Sequence, residues 1–340
     1  MGNAIKNDMW LLSQAAVRGR GHERTGLPCQ DKVLTQVSGD FVFGGLADGA
    51  GSARLSHFGA EASLAFSLEY FKQHFDAMVA SQDGAAVKAR FMEGLTQALD
   101  ETCLKHDCQR SDLASTLLVV AIKNETVILM HLGDGVIGYR QQGQVRVATG
   151  PTNGEFANQT VFTTSSTSIE AMQLLKASLA NMDGFVLMSD GTEASCYDKR
   201  RRAFAKAVDN LLLEQSRRPS AAFTKLLEEA VEVSLKPATT DDCSLVLMVK
   251  SDAGAHSYEA LTELERRALL GLAEQGREIR FARYEQVMRL LNDAADEGLS
   301  VLTLARALGI KEKHLDKHLQ PLIAKGLLVK RGRSVFRAIR

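Results

Sequence analysis

The stretch FGGLADGAGSARLSHFGA, residues 43–60, contains the feature that decides the fold. Its first part is an apolar run, typical of a β-strand, that ends at Asp48 and Gly49. Asp-Gly after a strand is most often an ordinary turn. Beyond Ser56 the apolar residues take helical spacing. The sequence therefore predicts a buried strand that presents one carboxylate at its end and then leads into a long helix.

Two other strand-like runs also meet carboxylates at one end. Gly184–Met188 leads into Asp190, and Cys243–Lys250 follows Asp241 and Asp242 directly. Strand ends fix a side chain against the core while its head reaches solvent. Hard divalent cations prefer carboxylate, carbonyl and water oxygens, so carboxylates brought together from distant parts of the chain predict a site for such ions.

Length and composition favour two domains. The chain has 340 residues, of which 45% are hydrophobic and 24% charged. The small polar stretch Ser251–Ser257 is the predicted linker, between domains 1–252 and 258–340. Met1–Lys6 lacks a signal-peptide core and no run reaches the roughly 18 apolar residues of a membrane span, so we expect a cytoplasmic protein. The five cysteines lack zinc-site spacing and are predicted to be reduced thiols.

Seven motifs follow one another between Trp10 and Lys250. They are RGRGHERTGLPCQD (18–31), LADGAGS (46–52), LASTLLVV (113–120), HLGDGVIGYR (131–140), GEFANQT (154–160), LMSDGTEAS (187–195) and TTDDCSLVLM (239–248). In this order they resemble the motifs of metal-dependent serine/threonine phosphatases of type 2C, particularly the bacterial branch. The resemblance implies an α+β fold, a four-layer α-β-β-α sandwich of two antiparallel sheets flanked by helices.

The resemblance also implies a centre of two Mn²⁺ or Mg²⁺ ions. Asp48 resembles the bridging carboxylate, and Gly49 would contribute its carbonyl. Asp190 resembles the second strand-end ligand, and the final ligand falls within Asp241-Asp242, where Asp241 matches the family position better. Asp31 matches an outer residue that holds metal-bound water.

The implied reaction is hydrolysis of phosphoserine and phosphothreonine in proteins by a metal-activated water, without a phosphoenzyme. Asp48 and Asp190, with a phosphate-binding arginine, would be the catalytic residues. Arg24 is the arginine we favour, and Arg18 or Arg20 are alternatives. The implied partner is a phosphoprotein substrate, and a cognate serine/threonine kinase is left open.

Two positions depart from the family pattern. Ala50 stands where many eukaryotic members carry a histidine that donates a proton, and His22, His57 and His131 are alternatives by residue type alone. A third ion would use Asp134 and Asp190 with an acid four residues later. That place is Ala194, and the neighbouring acid is Glu193, so occupancy of a third site is doubtful on this pattern.

The C-terminal segment is basic. Ser300–Arg340 contains ten Lys/Arg residues against two acids, a net charge of about +8, which leaves about −8 for the remainder. Its pattern of helix, turn at Gly309, helix and hairpin resembles winged-helix domains. In that interpretation the segment contacts the phosphates of duplex DNA. The alternatives are a solvated basic face, a docking surface for an acidic partner, or a regulatory role beside a catalytically weak phosphatase-like module. The DNA-contacting candidates are Lys311, Lys313, His314, Lys317, His318, Arg331, Arg333 and Arg337.

Overall fold

The chain forms two compact units in a computed structural model, one covering Met1–Lys250 and the other Ser251–Arg340. The predicted linker lies almost entirely outside the described residues. The same is true of residues 261–274, whose pattern predicts a helix, and of motif 154–160 apart from Thr160. The predicted domain boundary therefore stays a prediction. The described residues are 10–151, 160–216, 220–251, 263, 266–267, 270–272, 278–294, 298–324 and 327–337.

The first unit contains twelve described strands, most of them short and apolar. Runs of Val, Leu, Ile and Phe with buried side chains explain why these segments are strands. In chain order they are β1 (Trp10–Val17), β2 (Lys32–Ser38), β3 (Phe41–Ala47), β4 (Leu117–Lys123), β5 (Thr126–Leu132), β6 (Val136–Gln141), β7 (Gln144–Thr149), β8 (Gln173–Ser178), β9 (Met182–Met188), β10 (Tyr197–Asp198), β11 (Ala203–Phe204) and β12 (Cys243–Lys250).

Ten of these strands form two five-stranded sheets, and every pairing within them is antiparallel. The first sheet has the order β1-β12-β9-β6-β7, and the second has the order β2-β3-β4-β5-β8. β10 and β11 form a separate hairpin. The chain passes from the second sheet to the first between β5 and β6, so that connection lies at one end of both sheets.

Helices cover the outer face of each sheet. A cluster that contains Phe43, Phe71 and Phe91 packs α2 and α3 against the second sheet. A second cluster, with Leu46, Phe185 and Val246, lies between the sheets. The four-layer sandwich is therefore confirmed. The described α-helices of this unit are α1 (Arg20–Thr25), α2 (Ser56–Ala80), α3 (Gly84–His106), α4 (Ser168–Ala171), α5 (Asp190–Cys196), α6 (Lys206–Gln215) and α7 (Ser220–Ala230).

The second unit has a small core of its own around Tyr284, Leu304 and Leu319. Its three short strands pair antiparallel in the order β13-β15-β14. Gly309 and Gly332 have positive φ angles of 64° and 59°, as the predicted turns at both positions require. A winged-helix assignment stays a prediction. The described elements are α8 (Glu278–Asp293), β13 (Leu299–Ser300), α9 (Val301–Ala307), α10 (Glu312–Ala324), β14 (Leu328–Arg331) and β15 (Ser334–Arg337).

Two details of the sequence interpretation need correction. The sequence near Arg202–Glu214 predicts a helix, but that helix begins at Lys206, because the residues before it form the hairpin of β10 and β11. The edge strands β7 and β8 were not predicted: the side chains of β8 are mostly exposed, and the short polar–apolar alternation of β7, QVRVAT, was overlooked. Within the described ranges, no helix is both long enough and apolar enough to cross a membrane.

Candidate active site

The predicted carboxylates meet because the strands that carry them end at the same side of the sandwich. The end of β3 pairs with the start of β4 (Leu46 opposite Leu118), and the end of β9 pairs with the start of β12 (Met188 opposite Leu245). The start of β6 also pairs with the end of β9. Residues just beyond these ends come from five separate segments, yet they lie at one edge.

A cleft of about 330 Å³ opens at this edge. Four aspartates line it, and they come from three loops and from the start of α5. Of the residues that the sequence assigns to the site, Asp48, Gly49, Asp134, Asp190 and Asp241 line this cleft. The lining residues are Gly21, His22, Asp48, Gly49, Ala50, Gly51, Thr116, Asp134, Phe162, Asp190, Thr240 and Asp241.

Backbone pairing with the start of β4 holds the Asp48 turn. The Asp48 N–H donates to Thr116 Oγ1 at 2.9 Å, and the Thr116 N–H donates to the Asp48 carbonyl at 2.8 Å. A Cβ atom on Gly49 would lie 2.7 Å from Ser56 Oγ and 2.9 Å from the Gln30 carbonyl, so only glycine fits there. These contacts fix the direction in which the Asp48 carboxylate leaves the strand.

The carboxylates at this edge raise one another's pKa values. Burial raises the pKa of Asp31 to about 7, and the Asp242 charge adds to the rise. Burial raises the pKa of Asp48 well above its ordinary value, and Asp31, Asp190 and Asp241 reinforce the effect. Burial and the charges of Asp134 and Asp241 raise the pKa of Asp190. The site therefore concentrates negative charge that the protein itself leaves poorly compensated.

This donor set fits hard divalent cations. All the acidic groups offer oxygen, and the buried Asp190 Oδ1 has no hydrogen-bond partner among the described residues. In the described part of the chain, no group of three or more His, Cys, Asp or Glu side chains is arranged so that it could hold a metal ion without some movement. The carboxylates share one cleft without meeting at one point, and a cation would relieve their mutual repulsion.

The neighbours Asp241 and Asp242 have different surroundings. Asp241 is exposed and lines the cleft. Asp242 is 1% exposed, and its two oxygens accept the backbone N–H groups of Gly19 and Gln30, each at 2.6 Å. Asp242 thus joins the 19–30 segment to β12, and Asp241 alone of the pair faces the cleft.

We expect Asp242→Asn to destabilise the first unit by about 1–3 kcal/mol, because one buried backbone N–H would then face the amide NH₂ group. Urea denaturation followed by fluorescence measures the change. Asp241→Asn is the matched control, and it should change the free energy of unfolding by less than about 0.5 kcal/mol in metal-free protein. Equal destabilisation by both variants would contradict this assignment.

Of the three histidines considered by type, His22 is the one that lines the cleft. Its Nδ1 lies 2.9 Å from Asp242 Oδ1. His131 is buried in β5, where Nδ1 lies 2.8 Å from Thr149 Oγ1, and burial lowers the pKa of its ring to about 4. His57 lies on α2 against the Phe58 ring.

The three candidate arginines lie elsewhere. Arg18, Arg20 and Arg24 are all exposed, and none belongs to the described lining of the cleft. Arg18 Nη1 donates to the Leu27 carbonyl at 3.3 Å, and Arg20 Nε donates to the Thr239 carbonyl at 3.0 Å. The phosphate-binding role of Arg24 stays a prediction.

The candidates for a third ion lie on one side of the cleft. Asp134 Oδ2 accepts a hydrogen bond from Thr160 Oγ1 at 2.6 Å. Glu193 is fully buried in α5, and burial raises its pKa, with Asp190 and Asp134 adding to the rise against the opposing charge of Lys199. Glu193 is thus within electrostatic reach of both aspartates, whereas Ala194 is exposed.

Sequence reasoning did not identify the parts played by Thr116, Phe162 and Asp242. The motif around Thr116 was noted, but nothing in it indicated a hydroxyl that accepts from Asp48. The glycines of the 18–31 motif held a usable signal: a Cβ on Gly19 would overlap the Asp241 backbone, so the two distant segments must touch. That contact explains Gly19, and Gly21 likewise lies against the Thr240 carbonyl.

Solved structures share this fold at low sequence identity. A serine/threonine phosphatase from S. agalactiae aligns with a TM-score of 0.50 and 15% identity, over 71% of this chain and 99% of its own. An arginine-to-lysine variant of a bacterial serine phosphatase aligns with a TM-score of 0.50 and 12% identity, over 70% of this chain and 97% of its own. A comparison with curated proteins found no match.

The sequence itself identifies the family. A family profile described as protein phosphatase 2C matches residues 18–255, which is more than half of the chain. The matched range includes every residue that lines the cleft. The chain therefore belongs to the protein phosphatase 2C family, a family of serine/threonine protein phosphatases.

Proposed function

We propose that this protein hydrolyses phosphoserine and phosphothreonine in proteins at the aspartate-lined cleft. The observation that carries the proposal is the position of Asp48, Asp134, Asp190 and Asp241 around one opening of about 330 Å³. The raised pKa values of Asp48 and Asp190 support a site that needs cations. Family membership supports the reaction type.

The residues that would hold two Mn²⁺ or Mg²⁺ ions are Asp48, the Gly49 carbonyl, Asp190 and Asp241, with Asp31 behind Asp48. Bound there, the ions would activate a water for attack on phosphorus and offset the charge of the phosphoryl oxygens. A third ion at Asp134 and Asp190 stays outside this two-ion proposal, and Glu193 is a further acid within electrostatic reach of both aspartates.

The chain's own residues position these groups. Thr116 fixes the Asp48 turn from β4. Asp242 anchors the backbone at Gly19 and Gln30, and its Oδ1 lies 2.9 Å from Nδ1 of His22 at the cleft wall. With Nδ1 facing Asp242, Nε2 is the nitrogen that would donate a hydrogen bond to a phosphoryl or leaving-group oxygen when the ring carries a proton on both nitrogens. His22 thus occupies the functional place that Ala50 leaves empty.

Replacing His22 should lower turnover without unfolding the protein. We expect His22→Ala to lower kcat for a phosphothreonine peptide by about 10- to 100-fold, because one oriented donor is lost. The loss should be smaller for p-nitrophenyl phosphate, whose leaving group needs less help. His57→Ala is the matched control. Equal kcat values for His22→Ala and wild type would contradict the assignment.

Phosphate release tests the proposed function. Purified protein is freed of metal with a chelator and then incubated with Mn²⁺ or Mg²⁺ and peptides that carry phosphoserine, phosphothreonine or phosphotyrosine. We expect release from the first two that depends on the cation. A well-folded protein that releases no phosphate with either cation would favour the alternative, a catalytically weak regulatory module.

The remaining expectations about partners stay proposals. A phosphoprotein is the proposed substrate, and a cognate serine/threonine kinase is left open. Lys317 and His318 of α10 line a pocket of about 630 Å³ with Arg280 and Arg283 of α8, so the second unit has a basic surface. DNA binding by α10 and the β14–β15 hairpin remains a prediction that these contacts do not test.

A further inference from the structure

The short hairpin after α5 has four consecutive basic residues at its tip. Tyr197 pairs with Phe204 and Asp198 with Ala203, so the loop between the strands is Lys199–Arg202. All four loop residues are exposed. The hairpin therefore presents a concentrated positive charge to solvent. We call Lys199–Arg202 the basic loop.

Side chains of the residues that flank the basic loop hold it in one conformation. Asp198 Oδ1 accepts the backbone N–H groups of Arg200 and Arg201 at 2.9 Å and 3.0 Å. At the base of the hairpin, the rings of Tyr197 and Phe204 lie 5.2 Å apart between centroids. A loop that is already ordered loses less conformational entropy when it binds a partner.

The basic loop is linked to the wall of the cleft through Glu193. Lys199 Nζ lies 3.2 Å from Glu193 Oε2, and Glu193 is fully buried in the helix that begins at Asp190. Asp190 and Asp134, which line the cleft, both act on the charge of Glu193. The contact between Lys199 and Glu193 therefore joins the basic loop to a buried acid that the carboxylates of the site influence.

The arginines of the loop keep most of their charge available. Within the described ranges, Arg200 and Arg202 form no ion pair, and Arg201 makes only a 3.6 Å contact with Asp198 while its side chain stays 84% exposed. An acidic segment that approaches the cleft would therefore be attracted to this loop.

We propose that the basic loop binds acidic residues that flank the phosphorylated residue of a protein substrate, and that the enzyme prefers acidic phosphopeptides for this reason. The inference rests on the proposed function. Charge complementarity selects this occupant, since Arg200, Arg201 and Arg202 are exposed and can each pair with a carboxylate. Exposed pairs are individually weak, so several together are expected to give a preference of about tenfold.

The test compares two phosphothreonine peptides that differ only in three flanking residues, aspartate in one and alanine in the other. Wild type should hydrolyse the acidic peptide with a kcat/KM about tenfold higher at low salt, mostly through KM, and added salt should shrink the difference. Arg200→Glu with Arg201→Glu should remove the preference while kcat/KM for p-nitrophenyl phosphate changes by less than about twofold. This double variant leaves the Lys199 contact with Glu193 intact.

Lys72→Glu with Arg90→Glu, which makes the same charge change on exposed positions of α2 and α3, is the control and should keep the wild-type preference. Equal kcat/KM values for the two peptides in wild type would overturn this inference but leave the proposed function standing. So would an equal loss on both peptides and on p-nitrophenyl phosphate in the double variant. Absence of turnover with every substrate would instead overturn the proposed function, and this inference with it.

Discussion

Asp48→Asn and Asp190→Asn should each lower Mn²⁺-dependent phosphate release from a phosphothreonine peptide by at least about a hundredfold. Both aspartates line the cleft and come from different sheets, so each change removes a charged ligand that no neighbour can replace. An asparagine keeps the shape of the side chain but supplies one neutral oxygen. Phosphate release measured against Mn²⁺ concentration gives the size of the loss.

The same substitutions should not destabilise the metal-free protein. Asp48 is repelled by Asp31, Asp190 and Asp241, so a neutral residue relieves that repulsion. We expect the melting temperature of chelator-treated Asp48→Asn to equal or exceed that of wild type. Asp40→Asn is the matched control, because Asp40 is exposed at the opposite end of the same strand. Wild-type activity in Asp48→Asn, or loss of activity in Asp40→Asn, would contradict the account.

The metal-free protein should lose stability as the pH rises from about 5 to 8. The pKa of Asp31 is about 7 in the folded protein against about 3.9 in an unfolded chain. Between these values the folded state holds more protons than the unfolded state, so the free energy of unfolding falls as pH increases. The raised pKa values of Asp48 and Asp190 act in the same direction. The expected fall is at least about 1 kcal/mol.

Thermal unfolding at several pH values, with and without Mg²⁺, measures this effect. Saturating Mg²⁺ should raise the melting temperature more at pH 8 than at pH 5.5, because deprotonated carboxylates are the form that binds cations. Asp31→Asn should flatten the pH dependence of the metal-free protein. An unchanged slope in Asp31→Asn would show that another group controls it, contrary to the account.

The strand ends with their aspartates could be predicted because local and long-range preferences agree there. β3, β9 and β12 are apolar runs with buried side chains, and a carboxylate comes directly after β3 and directly before β12 and begins the helix that follows β9. A chain that alternates such apolar strands with helical segments has few arrangements that bury the apolar side chains of both. The family motifs then supplied the four-layer arrangement of two antiparallel sheets flanked by helices.

Other features depend on contacts that sequence spacing does not encode. Nothing in the pair Asp241-Asp242 says which carboxylate turns inward, since that depends on backbone N–H groups more than 200 positions away. The hairpin of β10 and β11 has two residues in each strand, too few for a periodic pattern. His22 resembled any exposed histidine until the fold brought it to the cleft.

The central claim is that the aspartate cleft binds divalent cations, and equilibrium dialysis against Mn²⁺ tests it most directly. Wild type should bind two ions per chain, and Asp48→Asn should bind fewer and more weakly, whereas Asp40→Asn should match wild type. Folded wild-type protein that binds no Mn²⁺ at millimolar concentration, or an Asp48→Asn variant that binds as wild type does, would contradict the claim.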